Sequence, residues 1–268
     1  SVVYTDKASV SNLSTTNNGT VTLYAVWEEV TYTITYNLDG GTNHPSNPTT
    51  YTVNTPTITL QNPTKAGYNF VGWYTAPTGG SKVETIPQGS TENITLYAVW
   101  EEVTYTITYN LDGGTNHPSN PATYTVNTPT ITLQNPTKAG YNFVGWYTAP
   151  TGGSKVETIP QGSTENITLY AVWEEIGYAL TFNPNYITVK RNGITLTSGT
   201  TVYKDQVLVI TYNRLGYESA TILVNGISLV GNEYTVGIED VVITVTDEVE
   251  ITYTITYNLD GGTNHPSN

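Results

Sequence analysis

The sequence predicts an all-β chain with little or no helix, organised as a tandem array of small modules rather than one large domain. Three observations carry this expectation. The chain of 268 residues holds 24 Gly and 22 Tyr and is rich in Thr and Asn, while the best helix formers are scarce. Apolar and polar residues alternate with a period of two. Long segments also recur nearly word for word, which is the signature of a repeat architecture.

The recurrence sets the boundaries. Thr31 to Glu102 returns as Thr104 to Glu175 at an offset of 73, and Thr49 against Ala122 is the single difference over those 72 positions. TYTITYNLDGGTNHPSN opens again at Thr252, and residues 20–30 follow the end of the unit at 93–103, sharing TLYAVWEEV. The chain therefore reads as half a module (1–30), two complete modules (31–103 and 104–176), a divergent module (177–250) and the opening of another (251–268). Both cut ends point to a piece of a longer protein, as does the absence of Met. One cut end supplies a first strand and the other a last, but pairing of the two in trans would lack the middle of a module and is not the expectation.

Within a complete repeat, Tyr32, Ile34, Tyr36 and Leu38 alternate with polar neighbours and predict a strand with one buried face. Asp39-Gly40-Gly41 supplies a turn. Tyr51 and Val53 mark a second strand, Ile58 and Leu60 a third, Tyr68 to Tyr74 a fourth, and Ile94, Leu96, Ala98 and Trp100 a last one. Prolines 45, 48, 56, 63, 77 and 87 fall between these runs, where they remove no ladder hydrogen bond. The last strand passes through Glu101-Glu102-Val103 to Thr104 without a Gly or Ser linker, which restricts neighbouring modules. In 177–250, Tyr178, Leu180 and Phe182 alternate, Ile187–Val189 and Ile194–Leu196 flank a turn, Asn225-Gly226 marks a hairpin, and Val241 to Val245 closes the unit.

Composition excludes several functions. Nine Lys and Arg against 22 Asp and Glu give a net charge of −13, which disfavours nucleic acid and anionic membrane. The longest apolar run, Val207 to Ile210, is far short of the ~20 residues of a membrane span, so no membrane insertion is expected. Without Cys there are no disulfides, thiolate metal sites or Cys nucleophiles.

Few residues invite chemistry. His44, His117 and His265 are copies of one position in TNHPSN, and Asp39 is the only nearby acid in its repeat, so a solvated turn is the better reading than a base or metal ligand. Asp39-Gly40-Gly41 lacks the spaced acids of a calcium loop. Glu28-Glu29, Glu101-Glu102 and Glu174-Glu175 are strand neighbours that point to opposite faces, unlike a glycosidase pair, and they charge the module ends. Lys65, Lys138, Lys82 and Lys155 raise the idea of isopeptide crosslinks, although covering apolar surface with the lysine stem explains them more simply. Asn12, Asn18, Asn93 and Asn166 head Asn-x-Ser/Thr strings, as expected by chance in a chain so rich in Asn and Thr. There is no GxSxG, P-loop, GxGxxG or HExxH. No enzyme activity, cofactor or metal is expected, and no ligand-binding residue is singled out.

The words YNLDGGT at 36–42, PTKAGYNFVGWYT at 63–75, Gly79-Gly80 and LYAVW at 96–100 together resemble the Listeria-Bacteroides repeat of internalins and other bacterial surface proteins. Residues 177–250 are similar more loosely, through Gly216-Tyr217 and a terminal Val-Ile-Thr-Val run, and lack the Gly-Trp pair. The resemblance implies β-grasp-like or sandwich-like modules on an extracellular, cell-surface protein anchored by segments outside this stretch. It also implies a stalk that projects distal domains. The alternative is an adhesive module that meets a host protein or glycan through duplicated weak surfaces, the array itself being monomeric. Gly67 and Gly72 are expected where backbone approaches closely or takes unusual angles around a core of Tyr68, Phe70 and Trp73.

Overall fold

A computed structural model describes residues 14, 16, 18–22 and 24–263. Among these residues every regular element is a strand. The chain divides into two compact units at Val103/Thr104.

In the first unit, β1 (Tyr32–Asn37) exposes its Thr side chains and buries Ile34. Its antiparallel neighbour is β2 (Thr50–Tyr51), and on its other side it runs parallel to β7 (Ile94–Glu102). β4 (Tyr68–Tyr74) pairs antiparallel with β7 and with β5 (Lys82–Val83), completing the sheet order β2-β1-β7-β4-β5. The first and last strands of the module thus lie side by side at the centre, the arrangement that a β-grasp label implies, here without a helix. β3 (Ile58–Thr59) and β6 (Thr85–Ile86) form a separate two-stranded ladder. The core is Ile34, Tyr51, Leu60, Trp73, Ile86, Leu96 and Ala98. Trp73 is 2% exposed, meets Tyr36 and Phe70 at ring distances of 5.1 and 5.4 Å, and donates from Nε1 to the Gln61 carbonyl at 3.1 Å.

The second unit repeats this sheet. β8 (Tyr105–Asn110), β9 (Thr123–Tyr124), β11 (Tyr141–Tyr147), β12 (Lys155–Val156) and β14 (Ile167–Glu175) take the order β12-β11-β14-β8-β9, with β8 parallel to β14. β10 (Ile131–Thr132) and β13 (Thr158–Ile159) again form a short ladder. Residues beyond 176 use the same sheet with other words. β15 (Gly177–Thr181), β18 (Thr201–Tyr203), β20 (Tyr217–Val224), β21 (Ile227–Ser228) and β23 (Val241–Glu250) lie in the order β18-β15-β23-β20-β21, with β15 and β23 parallel. Here the short ladder is replaced by a four-stranded sheet of β16 (Ile187–Arg191), β17 (Ile194–Leu196), β19 (Val207–Tyr212) and β22 (Glu233–Thr235). The larger core contains Leu180, Val189, Val202, Leu208, Ile210 and Val241, all fully buried.

The first and last strands are also joined by a side-chain latch. Thr33 N–H donates to Asn93 Oδ1, Thr106 N–H to Asn166 Oδ1 and Ala179 N–H to Asp240 Oδ1, each at 2.8 Å. Asn93 and Asn166 head two of the Asn-x-Thr strings, so these asparagines have a structural use. The described parts of 20–30 and of 252–263 form no strands, although they repeat the words of β7 and β1. Tyr24, Val26, Trp27, Tyr253 and Ile255 are exposed, since among the described residues neither segment pairs with a strand, and an isolated strand or hairpin is at best marginal in water. Residues 1–13 and 264–268, and with them His265 and the Asn12 string, lie outside the described residues.

Tyr36 and Tyr109 carry a pH signature. Each donates its hydroxyl to a proline carbonyl, Pro48 or Pro121, at 3.0 Å, and burial pushes each phenol up to about 12. An unfolded Tyr titrates near 10, so the folded repeats hold these protons when the unfolded chain has released its own. Their contribution to stability is complete below about pH 10 and is lost between about 10 and 12. A spectrophotometric titration should show these phenols still protonated well above pH 10 and ionising together with loss of β-sheet circular dichroism. Ionisation of all tyrosines around pH 10 with the fold intact would contradict it.

A duplicated groove as candidate functional site

The site begins with a turn. Asp39 and Gly40 both have positive φ, 47° and 82°, and Gly41 N–H closes the turn on the Leu38 carbonyl at 2.9 Å. Asp and Gly tolerate this left-handed backbone. The Leu38 carbonyl also accepts Trp100 Nε1 at 3.0 Å, which brings the end of β7 over the turn. Gly41 permits the approach, since a Cβ there would lie 2.6 Å from Trp100 Cζ2.

Lys65 then joins the two. Its Nζ lies 3.0 Å from Asp39 Oδ2, 4.2 Å from the centroid of the Tyr68 ring and 5.8 Å from that of Trp100. The Lys65 side chain is 18% exposed and that of Asp39 78% exposed, so the stem is covered while the carboxylate faces water. An exposed pair of this kind contributes little stability, and its use is to orient the two groups. The distant words YNLDGG, KAGY and LYAVW therefore meet at one place. They line an open groove of about 410 Å³ with Asn37, Asp39, Lys65, Tyr68, Tyr97 and Trp100. The second repeat has the same groove at about 440 Å³, lined by Asn110, Asp112, Lys138, Tyr141, Tyr170 and Trp173. Tyr68 accordingly departs from the expected core role, which belongs to Trp73 and Phe70.

The cation-x-Gly-Tyr turn recurs in the divergent module. Arg214 pairs with Glu248 and stacks between Tyr186 and Tyr217, at 4.6 and 4.1 Å. Gly67, Gly140 and Gly216 all have positive φ, and their carbonyls accept the N–H of Val103, Ile176 and Ile251 respectively, at 2.8–2.9 Å. This turn thus holds the residue at which each module is left. Glu175, the second acid of its terminal pair, and Glu250 at the matching place in the divergent module accept hydroxyl hydrogen bonds from Tyr141 and Tyr217.

The other candidate residues do not assemble into a reactive centre. Asp39 is engaged by Lys65, while the exposed His44 accepts the Ser46 N–H at Nδ1 over 3.2 Å, and His117 does the same with Ser119. No three His, Cys, Asp or Glu side chains converge among the described residues. Lys82 and Lys155 pair with the exposed Glu84 and Glu157 at 3.3 Å. Thr42, His44, Pro45 and Ser46 of the TNHPSN loop are exposed, while Asn47 at its end is 6% exposed. It accepts Gln61 N–H at 2.8 Å and donates to the Gln61 carbonyl and Asn43 Oδ1. Nothing in the local sequence singled out that asparagine from its neighbours.

The model of the Listeria-Bacteroides repeat domain matches residues 32–99 and 105–172. Among curated proteins, the chain is 37% identical over 186 residues to Internalin H of Listeria monocytogenes, covering 63% of this chain and 30% of that protein. It is 32% identical over 173 residues to a putative membrane protein of Evansella cellulosilytica, covering 62% of this chain and 24% of that one. The chain thus spans less than a third of either relative. Among solved structures it is similar to SHIRT domains 3-4 from a cell surface protein, with 16% identity and a TM-score of 0.21 over 55% of this chain and 98% of that one.

Proposed function

The chain belongs to the Listeria-Bacteroides repeat domain family, whose model covers just over half of it, and from that premise we propose a non-catalytic spacer of a bacterial cell-surface protein. Its work is to hold distal domains away from the cell under load. The observation that supports this reading is the parallel pairing of entry and exit strands: β1 with β7, β8 with β14, and β15 with β23. Tension on the chain ends pulls the two strands of each pair in opposite directions along their length. Every hydrogen bond between them is then loaded at once, as is the Asn93 or Asp240 latch, whereas a terminal hairpin would open one bond at a time.

The junction at Ile176 fits the same use. One residue separates β14 from β15, its N–H is held by the Gly140 carbonyl at 2.8 Å, and its side chain packs on the core of the following module. Single-molecule stretching of the full chain should give separate force peaks for the modules. The two complete repeats should release equal lengths, each about 3.3–3.6 Å per residue less the folded span. Repeats that lengthen without a force peak would defeat the spacer reading.

A further inference from the structure

We infer that the duplicated groove is a weak binding site for neutral saccharides. Two features of its wall select that chemistry. Lys65 Nζ, a donor, and Asp39 Oδ2, an acceptor, lie 3.0 Å apart at one end, close to the spacing of two adjacent hydroxyls on a sugar ring. Each hydroxyl both gives and takes a hydrogen bond, so a vicinal diol can accept from the ammonium and donate to the carboxylate, and the NH2 of the exposed Asn37, whose Oδ1 accepts the Asp39 N–H, can donate to a third. Beside these groups Tyr97 is half-buried on β7, in register with Asn37 on β1, and offers the kind of flat apolar surface on which the C–H face of a sugar rests.

The remaining wall explains the restriction to neutral ligands. The Lys65 charge is matched by Asp39, and the chain carries −13 overall, so a sulfated or sialylated glycan meets net repulsion. A proline-rich peptide would find the aromatic surface but brings acceptors with few donors, and so makes little use of the Asp39 carboxylate. The volume of about 410–440 Å³ falls in the ~300–1,000 Å³ range of small-molecule sites and suits one or two sugar rings. Its openness to solvent keeps a single site weak, and two copies in one chain compensate through avidity. The divergent module supplies an internal contrast. Its cation, Arg214, is paired with Glu248, which also accepts the Tyr212 hydroxyl at 2.9 Å, so that carboxylate is already occupied.

The test uses the full chain on immobilised neutral hexose oligosaccharides, their sulfated and sialylated counterparts, and a proline-rich peptide. Binding to some neutral oligosaccharides is expected, with the acidic forms weaker. Tyr97→Ala together with Tyr170→Ala should abolish it while circular dichroism at the assay temperature still shows the folded β-sheet spectrum of the parent. Tyr97→Ala alone should weaken binding to a dense surface by about 10²-fold and halve the number of sites titrated by soluble oligosaccharide. Asp39→Asn with Asp112→Asn should reduce soluble binding about tenfold. The inference is overturned if no neutral oligosaccharide binds, if the Tyr double variant still binds, or if acidic glycans or the peptide are preferred. None of these outcomes bears on the stretching experiment, so the spacer reading stands or falls separately.

Discussion

Replacing Trp73 with Ala should unfold the first repeat of the intact chain while the second, sequence-identical save for one residue, remains folded. The indole is 2% exposed at the centre of a core of only seven buried hydrophobic residues. Truncating a buried Trp typically costs about 3–5 kcal/mol, and a single core of about this module's size, without disulfide or metal, rarely supplies more than that. Two specific losses come with the cavity. The edge-on contacts with Tyr36 and Phe70 disappear, and the Gln61 carbonyl loses the Nε1 donor. That carbonyl also accepts from Asn47, so the TNHPSN loop should loosen with it. Hydrogen exchange by mass spectrometry can follow each repeat separately through peptides spanning Thr49 and Ala122, where the sequences differ. Rapid exchange confined to the Thr49 copy is the expected result. Equal protection of both copies would show that the core does not depend on this ring.

The same residues show how far the sequence reaches. Alternation in YTITYN and ITLYAVW foretold β1 and β7, since one buried face demands period two, and Asp-Gly and Asn-Gly foretold their turns. β5 and β6 with their copies β12 and β13, and β18, β19 and β22, were not foretold. All but β19 are two or three residues long, and pairing rather than pattern decides whether so short a segment counts as strand, while the six residues of β19 showed only as the longest apolar run. The latch from Asn93 to Thr33 spans 60 residues, and Asn93 looks locally like any other Asn before a Thr. Most of the groove was hidden for the same reason. Its parts come from positions 37, 65 and 97, which only the parallel β1–β7 pairing and the turn at Gly67 bring together. One clue was present: cation-x-Gly-Tyr persists as Arg214-Leu215-Gly216-Tyr217 where the Gly-Trp pair is lost. A word that survives when its neighbours change marks a geometric need, here a left-handed glycine that holds the exit residue beneath a cation stacked on Tyr.

Replacing Gly41 with Ala should cost about 1–3 kcal/mol, and the cost should depend on Trp100. Gly41 does not need left-handed backbone, unlike Gly40, and its φ alone would admit Ala. Space is what it lacks. An added Cβ would lie 2.6 Å from Trp100 Cζ2, 3.0 Å from the Thr64 carbonyl oxygen and 3.2 Å from that of Leu38. Two of the three neighbours are backbone, and the indole is fixed by its bond to Leu38 and its edge-on contact with Phe70 at 5.3 Å. Relief must come from moving Trp100, and with it the groove. Urea unfolding of Gly41→Ala, of Trp100→Leu and of the double variant should therefore show strong non-additivity, because the smaller side chain leaves room for the methyl. Gly40→Ala is the contrasting case. Its Cβ would meet nothing within 4 Å, so its cost of about 1–2 kcal/mol comes from a φ of +82° and should add to that of Trp100→Leu. Gly262, the copy of Gly41 in the C-terminal segment, meets only Leu259 atoms, and Ala there should be nearly silent. Full additivity between positions 41 and 100 would mean that the second glycine of the turn is kept for something other than the indole.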